Sequence, residues 1–237
     1  MKNLIKKLIK KLGYEIRKIP KSEQVKATGD LQKIFTYVYE DNVWGGSKGE
    51  FYSGPGSDEK VTVPYIDLIN KFIKDNSIKS VVDLGCGDFR VGRLIEKSEI
   101  DYTGVDIVQN LIDRNNKIYG EENVEFLCIN AVEDELPVAE LCLIRQVLQH
   151  LSNENIKIIL EKCKQYKYVI VSEHIPADSN IVPNLDMNSN WDIRLVQNSG
   201  VYVDKLPFNF NATVLLEVDP SHEGFSDSYI RTSLIEN

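Results

Sequence analysis

Short apolar runs and segments of helical periodicity alternate through the middle of the chain. The apolar runs predict five strands, at residues 81–84, 102–105, 124–129, 141–144 and 168–172. Helical periodicity fills most of the intervals, with predicted helices that begin at Pro64, Val91, Leu111 and Ile156. Strands separated by helices are joined by right-handed crossovers, so we expect these five strands to lie parallel in one sheet.

Near the C-terminus this rhythm changes. Two further strand candidates, Ala212–Val218 and Tyr229–Leu234, are separated only by a short loop that contains Pro-Ser-His-Glu-Gly. A connection this short joins antiparallel strands. The predicted fold class is therefore α/β: a doubly wound, Rossmann-like and mostly parallel seven-stranded sheet that ends in an antiparallel hairpin.

The chain divides into residues 1–60 and a domain of residues 61–237. Residues 1–19 form a predicted amphipathic helix, with apolar residues on one face and five lysines opposite or beside them. Such a basic helix either lies on an anionic membrane surface or packs on the core or on a second copy of the chain in a homodimer. The sequence leaves both alternatives open.

A glycine-rich segment, WGGSKGEFYSGPGS, follows a predicted helix at Leu31–Tyr39. We name residues 44–57 the lid loop, because three aromatic residues among its glycines predict an ordered element rather than a flexible linker. Ser53 and Gly54 are expected to contact a ligand that the lid loop covers. The alternative is an ordered surface loop that Trp44 and Tyr52 anchor.

The composition is that of a globular protein, with 42% hydrophobic and 27% charged residues. The net charge of −8 argues against a broad nucleic-acid-binding surface, although residues 1–21 hold eight Lys or Arg and only one Glu. Four cysteines without metal-type spacing predict free thiols in a reducing compartment. No apolar run reaches the length of a membrane span and no signal peptide is recognised. We therefore expect a cytoplasmic protein, with contact at the inner face of the membrane if residues 1–19 bind lipid.

The first predicted strand runs into the sequence Asp83-Leu84-Gly85-Cys86-Gly87. We name residues 85–88 the glycine turn. Glycine reaches positive φ freely and lets the backbone approach a ligand closely, and a helix that opens at Val91 would direct its N–H groups at that ligand. Nineteen residues after Gly87, Asp106 ends the second strand, at the spacing of an acid that binds ribose hydroxyls in a nucleotide-binding βαβ unit.

The residue at the third glycine position of a G-x-G-x-x-G motif indicates which kind of nucleotide is bound. Arg90 stands where G-x-G-x-x-G would require its third glycine, which disfavours a dinucleotide and a nicotinamide-dependent oxidoreductase. The D-x-G-x-G sequence instead resembles the first motif of the class I S-adenosylmethionine-dependent methyltransferases. The segment LIRQVLQHLS at 143–152 resembles their fourth motif, and the order of elements over residues 64–235 is similar. Phe89, where many members carry glycine, is a departure. With its WGG and SGPGS sequences, the chain looks like methyltransferases associated with bacterial surface-polysaccharide biosynthesis.

This resemblance implies S-adenosylmethionine as the cofactor, at the carboxyl ends of the strands where open parallel sheets bind their ligands. Asp106 would bind the ribose diol and Asn130 the adenine amino group. The amides of the glycine turn and Arg90 suit the methionine carboxylate, and Asp83 suits its amino group. The predicted cofactor-binding residues are Ser53, Gly54, Asp83, Gly85, Cys86, Gly87, Arg90, Asp106, Ile107, Asn130, Ala131, Arg145 and Gln146.

Two histidines are candidates for a catalytic base. His174 follows the fifth predicted strand, and His150 lies one helical turn beyond Gln146. A histidine with an ordinary pKa of about 6.5 can take the proton that an acceptor hydroxyl loses during methyl transfer. Each histidine also has a structural alternative, which is packing against the next helix for His150 and hydrogen bonding alone for His174.

Residues 175–211 form a predicted insertion rich in Asn, Pro and Asp, as functional loops of this length often are. We predict that Asp186, Trp191 and Arg194 bind the acceptor, because carboxylates and an aromatic face suit a sugar and an arginine suits a phosphate. The acids of the insertion are too ordinary in spacing to predict a metal site.

The predicted function is O-methylation of a sugar, a sugar nucleotide or a small phosphorylated precursor of a surface glycan, with S-adenosylmethionine as donor. One alternative is methylation of nitrogen or carbon in another small molecule. A second alternative is a non-catalytic nucleotide-binding scaffold of the same fold.

Overall fold

The computed structural model describes residues 19–178, 180–219 and 227–237. Its strands are β1 (Ser80–Leu84), β2 (Asp101–Asp106), β3 (Val124–Cys128), β4 (Leu141–Arg145), β5 (Tyr168–Pro176), β6 (Ala212–Val218) and β7 (Ser228–Glu236). Its α-helices are α1 (Lys21–Lys26), α2 (Leu31–Glu40), α3 (Glu59–Asp75), α4 (Gln109–Tyr119) and α5 (Asn153–Lys162).

The seven strands form one sheet in the order β3-β2-β1-β4-β5-β7-β6. Strands β1 to β5 pair in parallel, whereas β7 pairs antiparallel with both β5 and β6. The strand order reverses between β1 and β4, which is where ligands of such sheets bind. The predicted fold class, including the C-terminal antiparallel hairpin, is confirmed.

The sheet carries a hydrophobic core on each face, because neighbouring residues of a strand point to opposite faces. On one face Val82 and Ile144 pack in the same cluster as Ile156 of α5. On the other face Val81 belongs to the cluster that contains Ile69 of α3. The two cores fix the ends of the central strands, and therefore the loops that follow them.

The predicted helix that begins at Val91 is wrong. The chain forms only a single 3₁₀ turn there, at Gly92–Leu94. Phe89 lies in the left-handed region with φ 64°, which an α-helix excludes. Its ring packs 4.7 Å from that of Phe126 and 5.5 Å from that of Tyr102, measured between centroids. The segment after β1 is therefore shaped by aromatic packing, and no helix N-terminus faces the glycine turn.

Two predicted boundaries also differ from the structure. Helix α3 begins at Glu59 and continues through Pro64, so it starts earlier than the predicted position at Pro64. A proline this close to the helix start removes one backbone hydrogen bond and is tolerated. Strand β5 continues to Pro176 because β7 pairs along its whole length, and His174 therefore lies within the strand, opposite Ile230.

Some sequence predictions concern metals, membranes and thiols. No helix among the described residues is long and apolar enough to cross a membrane. Within the same ranges, no group of three or more His, Cys, Asp or Glu side chains is placed to hold a metal ion. All four cysteines are free thiols, as predicted. The predicted basic helix of residues 1–19 lies, apart from Ile19, outside the described residues.

Candidate active site

A cavity of about 430 Å³ opens at the carboxyl ends of the parallel strands, covered by α2 and the lid loop. Most of the predicted site residues line it, namely Ser53, Gly54, Asp83, Gly85, Cys86, Gly87, Asp106, Ile107, Asn130, Ala131, Arg145, Gln146, His150, His174 and Trp191. The sheet thus brings into one cavity residues that are far apart in the sequence.

The glycine turn is braced by the second strand. The N–H groups of Gly85 and Cys86 donate to the carbonyl oxygen of Val105 at 2.7 and 3.0 Å. The N–H of Gly87 donates to Oδ2 of Asp106 at 3.1 Å. Asp106 therefore holds the turn in place, and its carboxylate retains capacity to accept further hydrogen bonds from the cavity.

Ser53 fastens the lid loop to the glycine turn. Its Oγ accepts the N–H of Asp88 at 2.9 Å, while its own N–H donates to Oδ2 of Asp88 at 3.3 Å. The hydroxyl of Tyr39 on α2 shares a hydrogen bond with the same Oγ at 3.0 Å. All four N–H groups of the glycine turn are therefore bonded within the protein, so they are not available for the methionine carboxylate that we expected them to bind.

Two carboxyl groups at the cavity, those of the buried Asp83 and the half-buried Asp106, have raised pKa values. Oδ1 of Asp106 accepts the N–H of Val108 at 3.1 Å, and Oδ2 of Asp83 accepts the hydroxyl of Tyr102 at 2.5 Å. Burial raises the pKa of each carboxyl to about 6, against the opposite effect of these hydrogen bonds. Both groups are thus mainly ionised at neutral pH and become protonated under mildly acidic conditions.

Residues at the end of β4 contact the lid loop at Gly56. The Nη2 of Arg145 donates to the carbonyl oxygen of Gly56 at 2.7 Å. Gln146 adopts φ 56°, and a Cβ at Gly56 would come within 2.0 Å of its Oε1. Only glycine fits at residue 56 while Gln146 keeps this position. The lid loop is therefore tied both to β4 and to the glycine turn.

Glu173 holds the segment that follows β4. The buried carboxylate accepts three backbone N–H groups, from Val147, Leu148 and Gln149, at 2.8 to 3.1 Å. Burial nevertheless raises the pKa of Glu173 to about 7. We predicted no role for Glu173 from the sequence, yet this side chain fixes the path of the chain between Gln146 and His150.

An aromatic wall, formed by Phe35, Trp44, His150 and Trp191, closes one side of the cavity. The ring centroid of Trp44 lies 5.1 Å from that of His150, and Phe35 lies 6.2 Å from each of them. The indole N–H of Trp44 donates to the carbonyl oxygen of Trp191 at 3.3 Å. Lys26 lies 4.3 Å above the Trp191 ring, so α1 covers this wall from outside.

Both candidate histidines line the cavity and are neutral at pH 7. The Nε2 of His174 lies 2.8 Å from Oγ of Ser228, and Nδ1 of His150 lies 3.1 Å from the carbonyl oxygen of Asp192. Burial lowers the pKa of each to about 4, and the nearby charge of Arg145 acts in the same direction on His174. A neutral imidazole keeps one nitrogen that can accept a proton.

Arg90 does not line the cavity, contrary to prediction. Its guanidinium forms ion pairs with Glu50, Asp58 and Asp88 at 3.3 to 3.5 Å. It also lies 4.7 Å from the ring centroid of Tyr52. Arg90 therefore ties the lid loop to the protein from the side that faces away from the cavity.

Asp186 and Arg194 also lie away from the cavity, although we predicted that they bind the acceptor. The buried guanidinium of Arg194 donates to the carbonyl oxygens of Leu151, at 2.6 Å, and Leu185. Oδ1 of Asp186 accepts the N–H of Asn153 at 2.8 Å. Both side chains attach the predicted insertion to the start of α5, and only Trp191 of the three predicted acceptor residues reaches the cavity.

Several cavity residues were missed by sequence analysis. Phe35 and Tyr39 lie one turn apart on α2, and Tyr65 lies on α3. The spacing of Phe35 and Tyr39 on one helical face was the signal that could have identified them, but such spacing also fits ordinary core packing. Asn115, which donates to the carbonyl oxygen of Gly87 at 2.8 Å, had no recognisable signal.

The chain is similar to known proteins in one sequence domain and in its fold. Residues 82–166 match the sequence family described as a methyltransferase domain. No curated protein is similar enough in sequence to match the chain.

Solved structures share the fold at low sequence identity. The 1,6-didemethyltoxoflavin-N1-methyltransferase of Burkholderia thailandensis is 15% identical with a TM-score of 0.58, and the match covers 94% of this chain and 93% of that one. The N-methyltransferase NodS from Bradyrhizobium japonicum WM9 is 10% identical with a TM-score of 0.54, over 76% and 88% of the two chains. The N-terminal domain of EvdMO1, in the presence of S-adenosylhomocysteine and D-fucose, is 11% identical with a TM-score of 0.51, over 80% and 85%.

The seven-stranded fold and the match at residues 82–166 define the class of protein. It is an enzyme that transfers methyl groups. The structures from Burkholderia thailandensis and Bradyrhizobium japonicum contain S-adenosylhomocysteine.

Proposed function

We propose that this methyltransferase methylates an oxygen of a small hydroxylated acceptor, namely a sugar, a sugar nucleotide or a small precursor of a surface glycan. The observation that carries the proposal is the position of His174, which lines the same cavity as Asp106, the glycine turn and the aromatic wall. The imidazole of His174, the carboxylate of Asp106 and the aromatic rings thus line one cavity, which supports the roles of proton acceptor and ribose-binding acid that we propose for the first two.

The donor would lie between the glycine turn and the lid loop. Asp106 would accept the ribose hydroxyls, and Ile107 and Ala131 would contact the adenine beside Asn130. Oδ1 of Asn130 already accepts the N–H of Val132 at 3.1 Å, so its second lone pair is left for the adenine amino group. The lid loop would exclude water, which strengthens the electrostatic interactions inside the cavity.

When bound, S-adenosylmethionine supplies a methyl group on a positively charged sulfur. The acceptor oxygen would take this methyl group, and the donor's sulfur would leave as a neutral thioether. His174 would take the proton that the hydroxyl loses, because its ring is neutral at pH 7. A base with a pKa of about 4 is weak at neutral pH, so the positioning of the acceptor oxygen against the methyl group would carry more of the rate.

The aromatic wall supports a sugar as the acceptor. A sugar ring presents C–H groups on one face, which pack on the faces of rings such as those of Trp44 and Trp191, while its hydroxyls are left to polar groups. A phosphorylated acceptor has less support than it had from the sequence, because Arg194 is bonded to backbone carbonyls instead of facing the cavity.

The same wall favours one second candidate, methylation of a ring nitrogen in a flat heterocycle. Four aromatic rings at the cavity would stack on such a ring as readily as on a sugar. The didemethyltoxoflavin N1-methyltransferase is an enzyme of this kind with the same fold.

One experiment separates these candidates. The protein is incubated with S-adenosylmethionine that carries a labelled methyl group, first with pooled bacterial metabolites and then with separate sugar, sugar-nucleotide and heterocycle fractions. We expect a labelled O-methyl ether in a sugar fraction, identified by mass spectrometry, and its loss in His174→Gln. A labelled N-methyl product would replace the proposal by the second candidate, and donor binding without any labelled product would indicate a non-catalytic scaffold.

We also propose that residues 1–60 act as the donor-covering part of a catalytic domain at 61–237. Phe35, Trp44 and Ser53 all come from this segment and all line the cavity. Peripheral contact of residues 1–19 with an anionic membrane would bring the enzyme to an acceptor on a lipid carrier. Co-sedimentation with phosphatidylglycerol vesicles, compared with a chain that lacks residues 1–18, tests this contact.

A further inference from the structure

Arg145 forms no ion pair with any residue that the structure describes, although the charges of Asp83 and Glu173 act on it from farther away. Among residues 19–178, 180–219 and 227–237, no carboxylate lies within ion-pairing distance of its guanidinium. Its Nε is buried and has no hydrogen-bond partner in that part of the chain, and its ring neighbour Tyr65 lies at 5.3 Å. A buried charge is costly unless it is paired, so an unpaired guanidinium beside a cavity indicates an anionic ligand.

Gln146 adds a second buried donor at the same place. Its Nε2 is buried and makes no hydrogen bond with the described residues. Both side chains line the cavity, and both contact the lid loop at Gly56. A carboxylate has two oxygens, which two neighbouring N–H donors can satisfy together.

The glycine turn cannot supply the N–H donors that a ligand carboxylate needs. The four N–H groups of residues 85–88 already donate to protein oxygens. A ligand carboxylate that enters the cavity therefore needs donors from elsewhere.

A carboxylate, that of Asp83, lines the same cavity as the guanidinium of Arg145. β1 and β4 pair with Leu84 opposite Ile144, so Gly85, which follows β1, lies beside Arg145, the last residue of β4. Asp83 lines the cavity on β1, and among the described residues the hydroxyl of Tyr102 is the one hydrogen-bond donor to its carboxylate. A carboxylate and a guanidinium that do not pair with each other complement a zwitterion, with one group for its ammonium and one for its carboxylate.

We propose that Arg145 binds the carboxylate of the donor's methionine end, with Gln146 as a second hydrogen-bond donor and Asp83 as the partner of its ammonium. The assignment rests on the proposed placement of S-adenosylmethionine in this cavity. Side chains at the end of β4 thereby take the role that we first assigned to the amides of the glycine turn.

Calorimetric titration of the full chain with two product-like ligands tests the assignment. S-adenosylhomocysteine carries the amino-acid end, whereas 5′-methylthioadenosine keeps the adenosine and the sulfur but lacks that end. We expect Arg145→Gln to weaken binding of S-adenosylhomocysteine about tenfold or more and to leave that of 5′-methylthioadenosine within about twofold. Arg145→Lys should restore part of the loss, because it keeps the charge.

A matched control is Asp106→Asn, which should weaken both ligands alike because both contain the ribose. If Arg145→Gln changes the two affinities equally, or changes neither, the assignment is overturned while the proposed function stands. If the wild-type protein binds neither ligand, the placement of the donor fails and the assignment fails with it. Should Arg145→Gln not fold, as judged by thermal melting, Asp83→Asn replaces it, and a loss that is not selective for S-adenosylhomocysteine then overturns the assignment.

Discussion

A Cβ atom on Gly87 would lie 2.4 Å from the Oγ of Ser53. Gly87 itself adopts φ 56°, in the left-handed region. The lid loop therefore closes onto the glycine turn at a residue that has no side chain. The D-x-G-x-G motif thus serves two purposes, because the same glycine that shapes the turn also admits the serine that covers it.

Gly87→Ala should loosen the lid loop. The new methyl group cannot share space with Ser53, so we expect donor affinity to fall about tenfold and the free energy of unfolding to fall by about 1–3 kcal/mol. Gly29→Ala is the matched control, since Gly29 has φ 66° but nothing within 4 Å of its Cβ position. Urea unfolding and calorimetry measure both quantities. Equal losses in the two variants would mean that backbone strain alone, and not the contact with Ser53, is responsible.

Donor affinity should depend on pH through Asp106. Its pKa is raised to about 6, so the ionised form that accepts ribose hydroxyls is lost as the pH falls from 7 to 5. We expect S-adenosylhomocysteine to bind about tenfold more weakly at pH 5 than at pH 7. The Asp106→Asn protein should bind weakly throughout, with a shallower dependence to which Asp83 still contributes. Wild-type affinity that is constant over this range would contradict the role given to Asp106.

The stability of the fold should reveal the buried state of His174. Its pKa is lowered to about 4 in the folded protein, so stability is lost as the pH falls from the ordinary histidine value of about 6.5 towards 4. Between pH 7.5 and pH 5, His174→Gln should lose about 1–2 kcal/mol less free energy of unfolding than the wild type does. Between pH 7.5 and 8.5 the histidine is neutral in both states, so the two proteins should then change in parallel. An equal loss on acidification would show that His174 is accessible to protons in the folded state.

Arg194 should matter for folding more than for binding the donor. Arg194→Gln leaves the carbonyl oxygens of Leu151 and Leu185 without a charged donor, and we expect it to lower the free energy of unfolding by about 1–3 kcal/mol. Arg93→Gln, at an exposed position, should change it by less than about 0.5 kcal/mol. Affinity for S-adenosylhomocysteine should stay unchanged in both. If Arg194→Gln lowers donor affinity without any loss of stability, Arg194 takes part in binding, contrary to this prediction.

The strands and the location of the site were predictable because they depend on short apolar runs and on the rule for parallel sheets. Asp106 and Gly87 were found from their spacing alone, since both occupy backbone positions that the fold fixes. Arg90 and Arg194 were misplaced for the opposite reason. Their long side chains can reach in several directions, and tertiary partners such as Asp88 and Leu151 decide which direction they take. The helix predicted after β1 failed because the packing of Phe89 overrides its local pattern.

The aromatic wall has a practical consequence. The chain contains only two tryptophans, and both Trp44 and Trp191 line the cavity, joined by the hydrogen bond between them. The tryptophan fluorescence of this enzyme therefore originates from the place where its ligands are expected to bind. Quenching or a spectral shift would follow occupancy directly, so candidate acceptors can be screened in solution without any label.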